Sequence, residues 1–295
     1  MKKGKSVRNA KLQRYFCKDC KSYFQSKKRP IKLERVIWKK YVYKRQTLKD
    51  LASDYGKSIN WVRVKIENAK AIKKEVEPQG LVIVADATFF GRAYGFIIFR
   101  APEIKKNLYI HSLMYESIYQ YQLGRIAIEN QGIKIKAIVL DGRPGVRNLF
   151  LDVPVQMCHF HQKQIVQRYL TTRPKLQAGI ELRTIADILT FSNEKEFQNK
   201  INCWHKKWET FLKEKTTNPI TGRWSYTHKR VRSAYRSLNT NLPYLFTYQK
   251  YPEFNIPNTT NSLDGSFSHL KEKVGIHRGL REPIKYKMIN EILNN

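Results

Sequence analysis

Apolar residues come in short dense runs in the middle of the chain. Leu81–Asp86, Gly95–Arg100 and Leu108–Tyr115 are rich in β-branched and aromatic residues and are separated by Gly91 and by Ala101-Pro102, which predicts three strands. Ser117–Asn130 then changes to a helical pattern, with apolar mass at Tyr121, Ile126 and Ile128 and a stop at Gly132. Lys136–Asp141 and Val153–Met157 read as two further short strands, with helical stretches at Gly145–Leu151 and Phe160–Leu170. Residues 171–255 lose this texture and read mainly as helices, carrying Trp204, Trp208 and Trp224. A last helix is predicted over Asn258–Gly275, where Leu263, Phe267, Leu270 and Val274 form one apolar stripe at helical spacing. Asp264, Ser268 and Lys271 share the polar edge beside that stripe, an edge expected to meet the sheet.

Upstream, residues 46–72 predict two short helices. Leu48, Leu51, Ala52 and Tyr55 keep helical spacing, and Gly56 suits a helix end. Ser58 is placed to cap a second helix whose Val62, Ile66 and Ala69 face one way. Two helices around a glycine-containing turn match the helix-turn-helix that enters a DNA groove, with Asn60, Arg63 and Lys65 as candidate contacts. A basic helical pair packed on its neighbour fits the same pattern. Residues 1–30 are lysine-rich, and their one feature is the Cys17-x-x-Cys20 knuckle between aromatic pairs. Two thiolates at that spacing are half of a zinc ribbon, because tetrahedral zinc takes four ligands. An exposed thiol pair without metal is the other reading.

Composition narrows the function. The 295 residues carry 56 Lys and Arg against 24 Asp and Glu, a net charge of +32, while 41% are apolar and 12% aromatic. That is too apolar for a disordered basic tail and allows roughly two domains with a sizeable core. Such charge on a folded protein points to a polyanion, nucleic acid first. No apolar run approaches the ~18 residues of a membrane helix, so a membrane partner is not expected. Four cysteines form no disulfide framework and suit a reducing cytoplasm.

The order of three strands, helix, strand, helix, strand predicts an α/β, ribonuclease H-like core: an antiparallel meander extended by parallel strands. Asp86 is expected to end the first strand and Asp141 the fourth, and neighbouring strands would bring the two carboxylates together. Paired carboxylates repel unless a cation lies between them, and hard divalent ions prefer oxygen ligands. Asp264 is placed to supply a third. Two magnesium (or manganese) ions on such a triad suit phosphodiester cleavage and need no covalent protein intermediate.

Val84-Ala85-Asp86-Ala87-Thr88, Val139-Leu140-Asp141-Gly142, Cys158-His159-Phe160-His161, Arg223-Trp224 with Thr227-His228, the run from Asn258 to Phe267, and His277-Arg278-Gly279-Leu280 follow one another in a telling order. Over nearly the whole chain this resembles the bacterial Mutator-type insertion-sequence transposases, DDE enzymes with a ribonuclease H-like fold. The resemblance implies Asp86, Asp141 and Asp264 as the metal-binding triad, although that family usually has Glu at the third position. It implies an organising or DNA-facing role for Cys158 and His161 beside the active site. Residues 171–255 resemble the insertion these enzymes carry before the third acid. The family's zinc-ribbon members have an earlier Cys-x-x-Cys, which this chain lacks.

The expected organisation is a partial ribbon (1–30), a helix-turn-helix region (31–77), a catalytic domain in two parts (78–170 and 256–295), and the helical insertion (171–255). Arg223 and Trp224, Lys271, and His277 with Arg278 are further candidate DNA contacts, the last pair through phosphate. Core packing is the alternative for Trp224. The expected partners are double-stranded DNA, both element ends and target, and further copies of the chain, in a cytoplasmic, nucleoid-associated setting. The competing reading is a catalytically inactive or domesticated descendant that only binds DNA.

Overall fold

A computed structural model describes residues 1–5, 13–25, 33–69, 77, 79–91, 94–277 and 279–294. The chain divides into two compact units, Met1–Ile72 with Lys273–Ile289, and Lys73–Glu272 with Asn290–Asn295. Lys273–Ile289 thus packs within the first unit rather than with the remainder of 256–295.

In the first unit, β1 (Lys2–Lys5), β2 (Gln13–Phe16) and β3 (Tyr23–Gln25) form a small antiparallel sheet. Three helices follow: α1 (Leu33–Tyr43), α2 (Leu48–Tyr55) and α3 (Ile59–Asn68). The two helices read from sequence end where their residues dictate. Gly56 adopts the left-handed conformation after α2, and Ser58 Oγ accepts from the Trp61 amide at 3.2 Å to cap α3. Helix α1 adds a partner that the pattern did not reveal, burying Ile37, Trp38, Tyr41 and Val42.

In the second unit, β4 (Gly80–Phe90), β5 (Tyr94–Ala101) and β6 (Lys106–Leu113) form an antiparallel meander. After helix α4 (Ile118–Glu129), β7 (Lys134–Leu140) pairs parallel with β4, and β8 (Val155–Met157) pairs parallel with β7. The result is a five-stranded mixed sheet in the order β6-β5-β4-β7-β8 within a mixed α/β unit. A 3₁₀ turn, Val146–Phe150, stands where a helix was expected between β7 and β8. Strand β4 also runs past Asp86 to Phe90, paired to β5 throughout, so Asp86 lies inside the strand and not at its end.

Alternation divides the sheet's residues between two faces. Leu81, Ile83, Ala85, Ile97, Phe99, Ile138 and Leu140 share one core with Tyr121 and Ile128 of α4. Each fully buried aliphatic of this kind contributes about 1.5–3 kcal/mol. Val82, Val84 and Asp86 alternate to the other face. The ladder between β4 and β7 contains one irregularity: Leu81 pairs with Ile135 but Val82 pairs with Ala137, leaving Lys136 as an extra residue.

Helices α5 (His159–Leu170), α6 (Gln177–Asp187), α7 (Glu194–Lys213), α8 (Lys229–Leu245) and α9 (Thr247–Lys250) build a second core around Met157, Leu182, Phe197, Ile201, Trp204, Leu238 and Phe246. The expectation of helices between residues 171 and 255 needs one correction. A two-stranded hairpin, β9 (Lys215–Thr217) with β10 (Trp224–Tyr226), stands between α7 and α8. Helix α10 (Asn261–Ile276) buries Leu263, Phe267, Leu270 and Val274 as its stripe predicts, and α11 (Glu282–Leu293) ends the described chain. No helix among the described residues is long and apolar enough to cross a membrane.

Candidate active site

The parallel ladder brings two acids level. Val84 pairs with Val139, and Asp86 and Asp141 each lie two residues further along their chains. Asp86 is held on both sides, by β7 below this point and by Ile98 of β5 opposite it. The residue is only 5% exposed, and its Oδ1 accepts from the Ala87 amide at 2.8 Å. Burial pushes its carboxyl well above the usual carboxylate range, and the negative charges of Asp141, Asp264 and Glu116 push the same way, against the Ala87 bond. Two of the acids read from sequence, Asp141 and Asp264, therefore both act on the third, Asp86.

Asp141 follows β7 directly, and its Oδ1 accepts from the Arg143 amide at 3.0 Å. This tight turn depends on Gly142, whose φ of +85° favours glycine and where a side chain would strike Met157. Asp264 lies in the first turn of α10, and its Oδ2 accepts from Thr260 Oγ1 at 3.2 Å. Thr260 is in turn held by Cys158, whose sulfur lies 3.3 Å from the Thr260 amide and 3.4 Å from its hydroxyl. The Cys158 amide donates to Leu140 O at 2.8 Å and the His159 amide to Asn258 O at 2.9 Å. Cys158 thus fastens the approach to Asp264 onto the end of β7. Burial pushes its thiol up, partly offset by the Thr260 bond, so the sulfur stays a neutral packing group.

His161, one turn into α5, faces the acids with its Nε2 4.0 Å from Asp86 Oδ2. The adjacent His159 is turned away and buried. Its ring meets Leu245 O at 2.6 Å, and burial pulls its pKa down to about 4.

Glu116 was not singled out by any sequence pattern. It follows β6, and burial raises its carboxyl, with Asp141 acting in the same direction. Tyr121 Oη donates to it at 2.7 Å, and Arg143 pairs with it at 3.2 Å. Arg147 adds a second cation near Asp141. It is bonded to Asn241 at 2.5 Å and lies over the Tyr244 ring at 4.3 Å.

The other candidates are dispersed. Asn60 and Arg63 are exposed on α3. Lys65 pairs with Glu34 at 2.8 Å and lies over Trp61 within its own unit. His277 is corrected: it is buried, stacked at 4.1 Å on Tyr41, with its Nε2 3.0 Å from Tyr41 O, and cannot greet a phosphate. Arg278 lies outside the described residues. Lys271 is exposed on α10. Arg223 and Trp224 are exposed on the β9–β10 hairpin, Trp224 at 56% with Lys215 4.0 Å above its ring, so core packing does not describe it. Cys17 and Cys20 border the turn from β2 to β3, and hydrogen bonding to Ser22 lowers the Cys20 thiol.

No group of three or more His, Cys, Asp or Glu among the described residues is arranged, as it stands, to hold a metal ion. The donor chemistry of the acidic set nevertheless fits a hard divalent cation. Its carboxylates mutually raise Asp86, and a cation among them would remove that repulsion.

The raised Asp86 carboxyl has a measurable consequence in metal-free protein. A carboxyl whose folded value is raised contributes stability that is full below its unfolded value and is lost as pH rises through the folded value. Asp86→Asn keeps the size and the Ala87 bond but removes the charge. The variant is expected to melt at higher temperature than the wild type at pH 8 in EDTA, with the gap closing toward pH 4. Parallel melting curves across that range would show that Asp86 carries no such penalty. Compared with known protein families and with curated proteins, the chain matches neither.

Proposed function

We propose that this chain is a DNA transposase of the DDE class with a ribonuclease H-like catalytic unit, cutting the ends of its own element and joining them to target DNA. The observation that carries the reading is the pair Asp86 and Asp141, level on adjacent parallel strands, with Asp264 supplied from beyond the helical segment to act on the same buried carboxyl. The meander extended by parallel strands supports the fold assignment. The net charge of +32 supports DNA as partner, and the exposed Asn60 and Arg63 support α3 as an end-reading helix.

Asp86, Asp141 and Asp264 would hold Mg²⁺ or Mn²⁺, which when bound supplies activation of the attacking oxygen and charge stabilisation at the leaving oxygen. The chain's own groups do the remainder. Cys158 and Thr260 fix the start of α10, so Asp264 is oriented before substrate arrives. Arg143, beside Asp141, offers a cation to the scissile phosphate. His161 faces the buried Asp86, its Nε2 4.0 Å from Oδ2, and closes that side of the acidic set. Water attacks first and frees a 3′-hydroxyl, which then attacks target DNA. Pairing of two ends calls for more than one copy of the chain.

The test uses purified protein and a DNA fragment carrying its gene with both flanks, incubated with Mg²⁺, Mn²⁺ or EDTA. Metal-dependent cuts in the flanks and joined products are expected. Cuts without joining would make it a nuclease. Salt-sensitive binding without any cutting would leave a DNA-binding derivative of such an enzyme.

A further inference from the structure

The segment between β6 and α4 carries a feature that cleavage chemistry does not use. Met114, Tyr115, Ile118 and Tyr119 all face solvent, with Tyr115 at 70% and Tyr119 at 62% exposure, while Glu116 between them turns inward. The inward residue is held firmly. Tyr121 Oη donates to its carboxylate at 2.7 Å, Arg143 pairs with that carboxylate at 3.2 Å, and Arg143 Nη2 donates to its carbonyl at 2.5 Å. Ser117 closes the segment by donating its amide to Gln120 Oε1 at 2.8 Å, at the start of α4. Two aromatic rings are thus presented outward from a backbone fastened to the residue whose amide binds Asp141. Exposed aromatics four residues apart on a fixed backbone mark a contact surface.

We infer that Tyr115 and Tyr119 form a stacking platform for unpaired nucleobases of the DNA strand beside the cleavage point, with Arg143 taking the adjoining phosphate. This rests on the DNA-cleaving reading of the same site. The charge of the chain favours this occupant over a basic or neutral protein surface. Aromatic faces accept any base, so the platform recognises strand separation rather than sequence. It favours ends that have frayed next to the acids, where the scissile phosphate must be exposed.

The test compares the full chain with its Tyr115→Ala/Tyr119→Ala double variant, in EDTA and at one fixed salt concentration. The probes are two fluorescent duplexes of the same sequence, one blunt and one with a short single-stranded overhang containing 2-aminopurine. Both rings are exposed, so their removal leaves the core intact. The wild type is expected to prefer the overhang by about tenfold and to quench the 2-aminopurine, the effect of one or two stacked bases. The double variant loses both while binding the blunt duplex as before, and Tyr115→Phe/Tyr119→Phe retains both. A double variant that keeps the overhang preference overturns the platform. So does a variant that keeps it but sediments as a smaller species than the wild type, which assigns the face to a second copy of the chain. If the wild type cuts its gene fragment yet shows no overhang preference, the platform alone falls. If it binds neither duplex and cuts nothing, the proposed function falls with it.

Discussion

Asp141→Ala is expected to reduce the single-turnover cutting rate by on the order of 10³-fold while DNA affinity stays within a few-fold of the wild type. Asp141 contributes the charge that faces Asp86 across the ladder, and its Oδ1 is already oriented by the Arg143 amide. Alanine leaves the strand and the buried face unchanged but removes the bond to the Arg143 amide; Asp141→Asn keeps that bond and is expected to lose cutting as well, so the loss is chemical rather than structural. Removing one negative charge from a chain of +32 does not weaken phosphate binding. The check measures both quantities on one preparation, cutting in Mg²⁺ and binding in EDTA. A variant that still cuts at the wild-type rate places the chemistry elsewhere, and the paired aspartates become a folding feature.

Phe99→Ala is expected to destabilise the sheet-bearing unit by about 3–5 kcal/mol. Phe99 is fully buried on β5, with Tyr109 at 5.8 Å and Tyr121 at 6.0 Å in edge-to-face contact. Its ring occupies the space where a side chain at position 124 would stand, which is why α4 carries glycine there. Truncation removes the ring and leaves a gap that neither Tyr109 nor the α4 backbone can close. Against a typical total of about 5–15 kcal/mol for a domain, the loss is a large fraction. It would appear as a fall in the urea midpoint of this unit's transition with an unchanged slope. Tyr121 also carries the bond to Glu116, so the variant should loosen the acids as well. A shift below ~1 kcal/mol would contradict the packing described.

Much of this was legible in the residues. Dense apolar runs broken by glycine and proline marked the strands, and Gly56 and Ser58 marked the ends of α2 and α3. The stripe Leu263, Phe267, Leu270 and Val274 placed Asp264 on the edge of α10 beside it. What stayed hidden depended on partners distant in sequence. Ala87–Phe90 belong to β4 only because β5 returns alongside them. Glu116 has no motif, and its part arises because the chain leaves β6 and β7 at the same end of the sheet. His277 looked like a free cation beside Arg278, yet Tyr41, at the other end of the chain, encloses it. Helix α1 was masked by its charges, since Ile37, Trp38, Tyr41 and Val42 alternate with lysines that dominate the composition. The hairpin bearing Trp224 is too short for any period to show.

The extra residue at Lys136 has a consequence for how this chain can change over generations. Below it, the β4–β7 ladder follows the loop that leads out of α4; above it, the ladder follows the row that sets Asp86 beside Asp141. The two halves are therefore registered separately. A residue gained or lost near Gly132 can be absorbed by enlarging or erasing the bulge, and the paired acids keep their alignment. The same insertion between Ala137 and Asp141 has no such slack and would turn Asp141 to the opposite face. Length variation among descendants of this chain should accordingly accumulate near Gly132 and be absent between Ala137 and Asp141.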